Sequence, residues 1–366
     1  MIQMYQKPNL FFLECKGTLI SCSHSPLLDQ SQSFILSSFS SHVVAFYSHS
    51  FSYLPMKSPC MSTSAEMDSS EWEIRKVSFI VICLFLAGLS NWAVLAYTHD
   101  IVGREPLPDI VFSLIPQVIW AAKVGDAFVT LCLIFFATLL VFHQERIIII
   151  RRVFFIAATL YTMRSVTLLV TQLPPGYADS TVRCRERRNF SWGAFLSRWG
   201  EQTVRVGFQS EDSMLCGDML FSGHSLVMML CYLSVSHYLP RNWKKFKWIS
   251  CVSSYAGMAS MVVSRTHYTV DVVIAYWLTT LVFASYHAYA ESDLFMDRKD
   301  SVYYSYVYFR VVSWLEESIV PGRVENVFVN PIRQIQSMFD PKPSETAQGH
   351  HKHISVSSSS TFALPA

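Results

Sequence analysis

The sequence is poor in charge. Lys, Arg, Asp and Glu supply only 15% of its 366 residues, against roughly 25% in an ordinary soluble domain. That deficit excludes a disordered chain and a coiled coil, and it speaks against a cytosolic enzyme. Basic residues barely outnumber acidic ones, 29 to 27, so no nucleic-acid partner is expected. Nine cysteines are scattered without CxxC spacing; no zinc site, redox motif or small disulfide scaffold is visible. No cluster of ligand-type side chains argues for a metal, and no cofactor is expected. Residues 1–70 are rich in Ser and lack Arg. They hold no basic stretch leading into an unbroken apolar one, so neither a secretory signal peptide nor a transit peptide is expected.

What the chain has instead is apolar length. AVILMFWYC residues make up 51% and aromatics 14%, and the mean hydropathy is +0.28. Runs near the ~20 residues that cross a hydrocarbon core occur at Val77–Tyr97, Val124–Phe142, Val153–Val170, Met219–Leu239, Phe246–Ser264 and His267–Tyr289. The fold expected is an all-α integral membrane protein with six transmembrane helices. Arg75 and Lys76, then Arg146, Arg151 and Arg152, then Arg241, Lys244, Lys245 and Lys247, and finally Arg298 and Lys299 fall on one side. That side is read as cytosolic, which puts both termini there and turns the odd connections to the lumen or exterior. The third connection, Gln172–Asp218, balances its Arg with acids and is too long to weigh.

Three regions follow: a Ser-rich N-terminal segment over 1–70, read as disordered or as preceding a start at Met61 or Met67; a six-span domain over 72–300; and a cytosolic remainder over 301–366. In the last, Ser301–Leu315 fits an interfacial segment. The Ser-rich tail with His350, His351 and His353 reads as solvated rather than metal-binding.

Two histidines stand at outer mouths of spans. His224 follows Ser222-Gly223 at the start of the fourth, and His267 opens the sixth. A single histidine at a membrane border is ordinarily structural. Here two lie on one membrane face, and His267 and Asp271 are spaced i, i+4 as on one helix face. A carboxylate there can fix the imidazole tautomer and stabilise its charged form. Small residues at a helix start suit an anion, and two imidazoles at one phosphate can act as nucleophile and as general acid–base. Arg164 lies about 12 residues, roughly 18 Å, past Arg152. An intramembrane Arg is read as functional, the alternative being an internal ion pair, for example with Asp126.

Taken together these residues resemble the motifs of the sphingomyelin synthases, integral membrane relatives of the lipid phosphate phosphatases. Pro106-Leu107-Pro108-Asp109 matches the first motif. Arg151-Arg152, Tyr161, Arg164 and Thr171 match the second. Cys216-Gly217-Asp218 with Ser222-Gly223-His224 matches the third, with Ser225 where Thr is usual. His267-Tyr268-Thr269, Asp271-Val272, Tyr276, Phe283 and Tyr286-His287 match the fourth. The resemblance covers roughly residues 72–300. It implies a lumen-facing active site that moves phosphocholine from phosphatidylcholine to the primary hydroxyl of ceramide, releasing diacylglycerol, through a phosphohistidine. In that scheme His267 is the nucleophile, oriented by Asp271. His224 is the general acid and then base, with Asp218 orienting it. Ser222, Gly223, Arg164, Tyr161 and Tyr268 support the site. Its partners would be membrane lipids, and a homo-oligomer is compatible with it.

The rival readings are a ceramide phosphoethanolamine synthase, a lipid phosphate phosphatase, and an inactive homologue or scramblase. The KxxxxxxRP motif of the phosphatases is absent, and Arg265 lies only two residues before His267. Thr266 stands where the sphingomyelin synthases carry Glu, which puts choline selectivity in question. No added N-terminal interaction domain of the ethanolamine-transferring kind is seen, which favours choline. Asn189-Phe190-Ser191 is a glycosylation sequon. Cys184 and Cys216 could pair in an oxidising compartment, although free thiols are the favoured reading because Cys216 belongs to a motif. The class of reaction suggests Golgi or plasma membrane.

Overall fold

The computed structural model describes residues 65–187, 191–205, 207, 214–291, 301–319 and 322–329. The chain divides into two units, Met1–Met61 and Ser62–Ala366, and the first lies outside the described residues. So do Asn189 of the sequon and the His350–Ala366 tail.

The described residues are helical and contain no strand, only isolated bridges. Six long helices run as α1 (Ala65–Ile101), α3 (Ala121–Phe142), α4 (Arg146–Val170), α7 (Gly223–Tyr238), α8 (Lys244–Val263) and α9 (Thr269–Ala290). Short helices α2 (Ile110–Leu114), α5 (Ser180–Arg183) and α6 (Trp192–Val204) lie between them, and α10 (Val307–Leu315) follows. Each long helix coincides with one of the six apolar runs. Four are long and apolar enough to cross a membrane: the Trp72–Ile101 part of α1, α3, α4 and α9. The other two fall short for local reasons. α7 has 16 residues, a rise of about 24 Å. α8 opens on Lys244, Lys245 and Lys247 and carries four Ser.

α7 is the centre of the bundle, packing against α3, α4, α8 and α9, while α1 pairs with α4. Between apolar helices in lipid, close packing and buried hydrogen bonds hold the assembly. At Gly257 of α8 an added Cβ would lie 2.8 Å from Phe128 Cβ, so glycine lets α8 approach α3. One turn away, Ser254 Oγ donates to Met228 O of α7 at 3.0 Å.

Side-chain pairs define the two ends of the bundle. At one end, Glu73 meets Arg151 at 2.6 Å, His237 meets Glu291 at 2.8 Å, and Lys76 donates to Ser318 at 2.9 Å. Arg152 is paired with Glu316 through both carboxylate oxygens, at 2.9 and 2.6 Å. The same Glu316 accepts from Tyr286 at 2.8 Å, and Tyr238 shares a hydrogen with His287 at 2.7 Å. This basic end therefore gathers Arg151-Arg152 and Tyr286-His287 around a glutamate that follows α10. The inner face of α10, Phe309, Val311, Val312 and Leu315, is buried while Arg310 is exposed.

At the other end the connections 102–120, 171–222 and 264–268 meet. Ser180 donates to Arg104 O at 2.9 Å and Gln117 to Ser264 O at 3.3 Å. Cys184 and Cys216 are disulfide-bonded, with Cα atoms 5.7 Å apart. The expectation of free thiols is thus overturned. The third connection folds back so that Cys184 and Met214 form a parallel bridge, which brings the two sulfurs together although 32 residues separate them.

Candidate active site

The site lies at that second end, where α7 and α9 begin. Ser222 is the N-cap of α7, its hydroxyl accepting from Ser225 N at 3.2 Å. His224 is therefore in the first turn, among N–H groups that have no carbonyl partner within the helix. His267 stands two residues before α9, outside the helix. The i, i+4 helix-face geometry expected for His267 and Asp271 thus does not apply. Their proximity has another origin. Asp271, the third residue of α9, folds back and accepts from Tyr268 N at 2.9 Å, as a carboxylate at a helix start does. Its other oxygen accepts from Leu220 N at 2.8 Å, with Leu220 in a left-handed conformation at φ +88°. One carboxylate thus ties the start of α9 to the segment leading into α7. Asp271 is 0% and His267 2% exposed in the side chain.

The two rings form a row with two carboxylates. Asp271 Oδ2 lies 3.5 Å from His267 Nδ1. His267 Nε2 lies 3.5 Å from His224 Nδ1. His224 Nε2 lies 3.5 Å from Asp126 Oδ1, on α3. Each imidazole turns one nitrogen to its partner and the other to a carboxylate. The spacings are longer than tight hydrogen bonds, as at sites that close only around substrate.

Arg164 sits beneath the start of α7. It donates to Phe221 O at 2.7 Å and is hydrogen-bonded to Asn91 Oδ1 and to Asp218 Oδ1. An added Cβ at Gly223 would lie 3.4 Å from Arg164 Nε, an ordinary contact, so the guanidinium lies directly against the helix start. Burial works against the ionised form of Asp218. The charge of Arg164, with smaller contributions from His267 and His224, more than offsets this and holds its carboxyl below the ordinary value. Arg164 is thus in an internal ion pair, with Asp218 rather than Asp126. The carboxylate in contact with His224 is Asp126, while Asp218 interacts with His224 electrostatically. The sequence carries a hint of each: Asp126 is an acid near the start of an apolar run, and Asn91 a polar residue within one.

Tyr161 lies one turn before Arg164 and packs against Cys83, Ala87 and Ala158. Tyr268 is buried and its hydroxyl accepts from Leu107 N at 2.9 Å. Asp109 accepts from Thr269 N at 2.9 Å, from Thr269 Oγ1 at 2.8 Å and from Val111 N at 2.9 Å. The Pro106–Asp109 motif therefore clasps the start of α9. Thr266 shares a hydrogen bond with Ser264 at 2.7 Å. Among the described residues, no group of three His, Cys, Asp or Glu side chains is placed to hold a metal.

Residues 215–288, which include both histidines and Asp271, match the family model described as PAP2 superfamily C-terminal. A Caenorhabditis elegans protein named "Putative phosphatidylcholine:ceramide cholinephosphotransferase 3" is 51% identical over 313 residues, 81% of this chain and 92% of the relative. A second Caenorhabditis elegans protein, phosphatidylcholine:ceramide cholinephosphotransferase 2, is 36% identical, covering 70% and 78%. The Rattus norvegicus protein of the same name is 33% identical, covering 72% of each chain. Over this extent of similarity, the chain belongs to the phosphatidylcholine:ceramide cholinephosphotransferase family, the sphingomyelin synthases.

Proposed function

We propose that the protein transfers phosphocholine from phosphatidylcholine to the primary hydroxyl of ceramide, through a phosphohistidine at His267. The observation that carries this reading is the row of two imidazoles between two carboxylates. Asp271 at Nδ1 favours the tautomer that leaves Nε2 of His267 with its lone pair. That nitrogen attacks phosphorus, the bond to the diacylglycerol oxygen breaks, and the His224 imidazolium gives that oxygen a proton. Neutral His224 then takes the proton of the ceramide hydroxyl. Its oxygen attacks phosphorus, the P–N bond breaks, and sphingomyelin leaves. Asp126 stabilises the charged state of His224 between the halves. The first turn of α7 and the adjacent Arg164 offset the phosphodiester's single negative charge.

The reading extends to topology. All six long helices run between the same two ends, so α7 and α8 also span. Arg75, Lys76, Arg146, Arg151, Arg152, Arg241, Lys244, Lys245 and Lys247 cluster at the end opposite the histidines, so that end is cytosolic. Both termini are then cytosolic, and the active site faces the lumen of the Golgi or the outside of the plasma membrane.

The test is a transfer assay on membranes holding the full chain, given fluorescent ceramide with phosphatidylcholine or phosphatidylethanolamine. Fluorescent sphingomyelin is expected, and none from His267→Ala. A phosphoethanolamine product would keep the mechanism and change the head group. Lipid turnover unchanged in His267→Ala would sink the enzymatic reading.

A further inference from the structure

α1 presents two different surfaces along its length. Its first part exposes Ile74, Val81, Ile82 and Phe85, as a lipid-facing span should. From Asn91 to His99 every residue except Trp92 is buried. The change comes where α6 packs on α1. Trp199 of α6 donates its indole N–H to Leu89 O at 3.0 Å, and Arg198 is ion-paired with Asp100. Counted from Lys76 at 1.5 Å per residue, these contacts lie about 20 and about 36 Å along α1. The hydrocarbon core is about 30 Å thick, so α6 covers α1 across the outer boundary of that core.

α6 has two unlike flanks. Trp192, Leu196 and Trp199 are spaced i, i+4 and i+7, one stripe of a helix. Trp192 is 61% and Leu196 52% exposed, and Phe195 stacks on Trp199 beside them. The other flank carries Ser197, Glu201 and Arg205, with Glu201 paired to Arg185 at 2.9 Å and to Arg205 at 3.2 Å. Between the flanks run Gly193 and Gly200, where an added Cβ would meet nothing within 4 Å.

We propose that α6 is an outer-leaflet anchor, its Trp192–Leu196–Trp199 stripe inserted at the boundary between phospholipid acyl chains and head groups. The stripe continues the lipid-facing surface that α1 gives up at Asn91. Its aromatic content is that of residues enriched at membrane interfaces, and a helix with one apolar and one charged flank suits that boundary. The anchor rests on the reading of α1 as a membrane span. It sets the depth of the part of α1 that supplies Asn91 to Arg164.

The full chain would be reconstituted in phosphatidylcholine bilayers with a bimane fluorophore at Leu196→Cys, Ser197→Cys or Phe85→Cys, subtracting the labelled native chain as background. Brominated acyl chains should quench the Leu196 and Phe85 probes to a similar fraction, with iodide in the water leaving both bright. The Ser197 probe should show the reverse. Trp192→Cys gives a second probe of the stripe if Leu196→Cys does not fold. Iodide quenching at Leu196 equal to that at Ser197 would overturn the anchor. So would shielding from both quenchers, the result expected if a second copy covered the stripe. A Phe85 probe indifferent to brominated lipid would overturn the span reading, and the anchor with it.

Discussion

Asp126 shows how a single side chain completes a site. It approaches His224 from a helix that contributes no other member of the row, and its carboxylate is more than half exposed. In the proposed mechanism it orients His224 and stabilises its charge. Asp126→Asn should lower kcat about ten- to a hundredfold, less than the roughly 10²–10⁴ of a lost general acid–base. The KM for phosphatidylcholine should hold, and Asp126→Glu should recover part of the rate; equal rates for Asn and wild type in a steady-state assay would remove Asp126 from the site. His224, His267 and Asp271 were legible in the sequence because each sits in a short local motif. Asp126 and Asp218 were harder to place. Which cation a carboxylate meets depends on the rotation of two helices about their axes, and no local pattern encodes that.

At the scale of elements, apolar run length located all six long helices. It did not reveal how α9 begins. That start is held by Asp109 from a preceding loop and by Asp271 from within. Burial alone would raise the Asp109 carboxyl; donors from Thr269 and from the N–H groups of Val111 and Phe112 carry it below its ordinary value. A carboxyl that binds its proton less tightly when folded stabilises the fold above its unfolded value, near 3.9. That contribution is lost as pH falls through the lower, folded value. Asp109→Ala should cost about 1 kcal/mol for the lost cap. Thermal unfolding of the detergent-solubilised protein should show the difference between variant and wild type shrinking below about pH 4. A constant difference from neutral pH to strong acid would contradict the clasp. The sequence offered Cys184 and Cys216 as a pair but favoured free thiols; a loop must fold back before its cysteines can meet, and spacing does not show where it folds.

Over the whole molecule, the family motifs divide between two ends. His224, His267 and Asp271 meet at one. Arg151-Arg152 and Tyr286-His287 meet at the other, around Glu316, which lies beyond the motifs. The sequence allowed the basic residues to be read as topology signals, but Arg152 is fully buried and paired. Glu316→Ala would leave that buried guanidinium without a carboxylate, its remaining partner the Tyr238 hydroxyl at 3.5 Å, at a cost of about 3–5 kcal/mol. Replacing both, as Arg152→Met with Glu316→Leu, should recover most of it. Equal melting temperatures for Glu316→Ala and wild type would show that the pair does not hold α10 to the bundle.

The central claim is that phosphocholine rests on His267 between donor and acceptor. The direct measurement is to mix the purified full chain with choline-labelled phosphatidylcholine, omit ceramide, quench in alkali and map the label by peptide. The account predicts an acid-labile, alkali-stable label on the peptide holding His267, discharged when ceramide is added and absent from His267→Ala. Transfer to ceramide at full rate with no label captured on that peptide would contradict it and leave direct displacement between the two lipids.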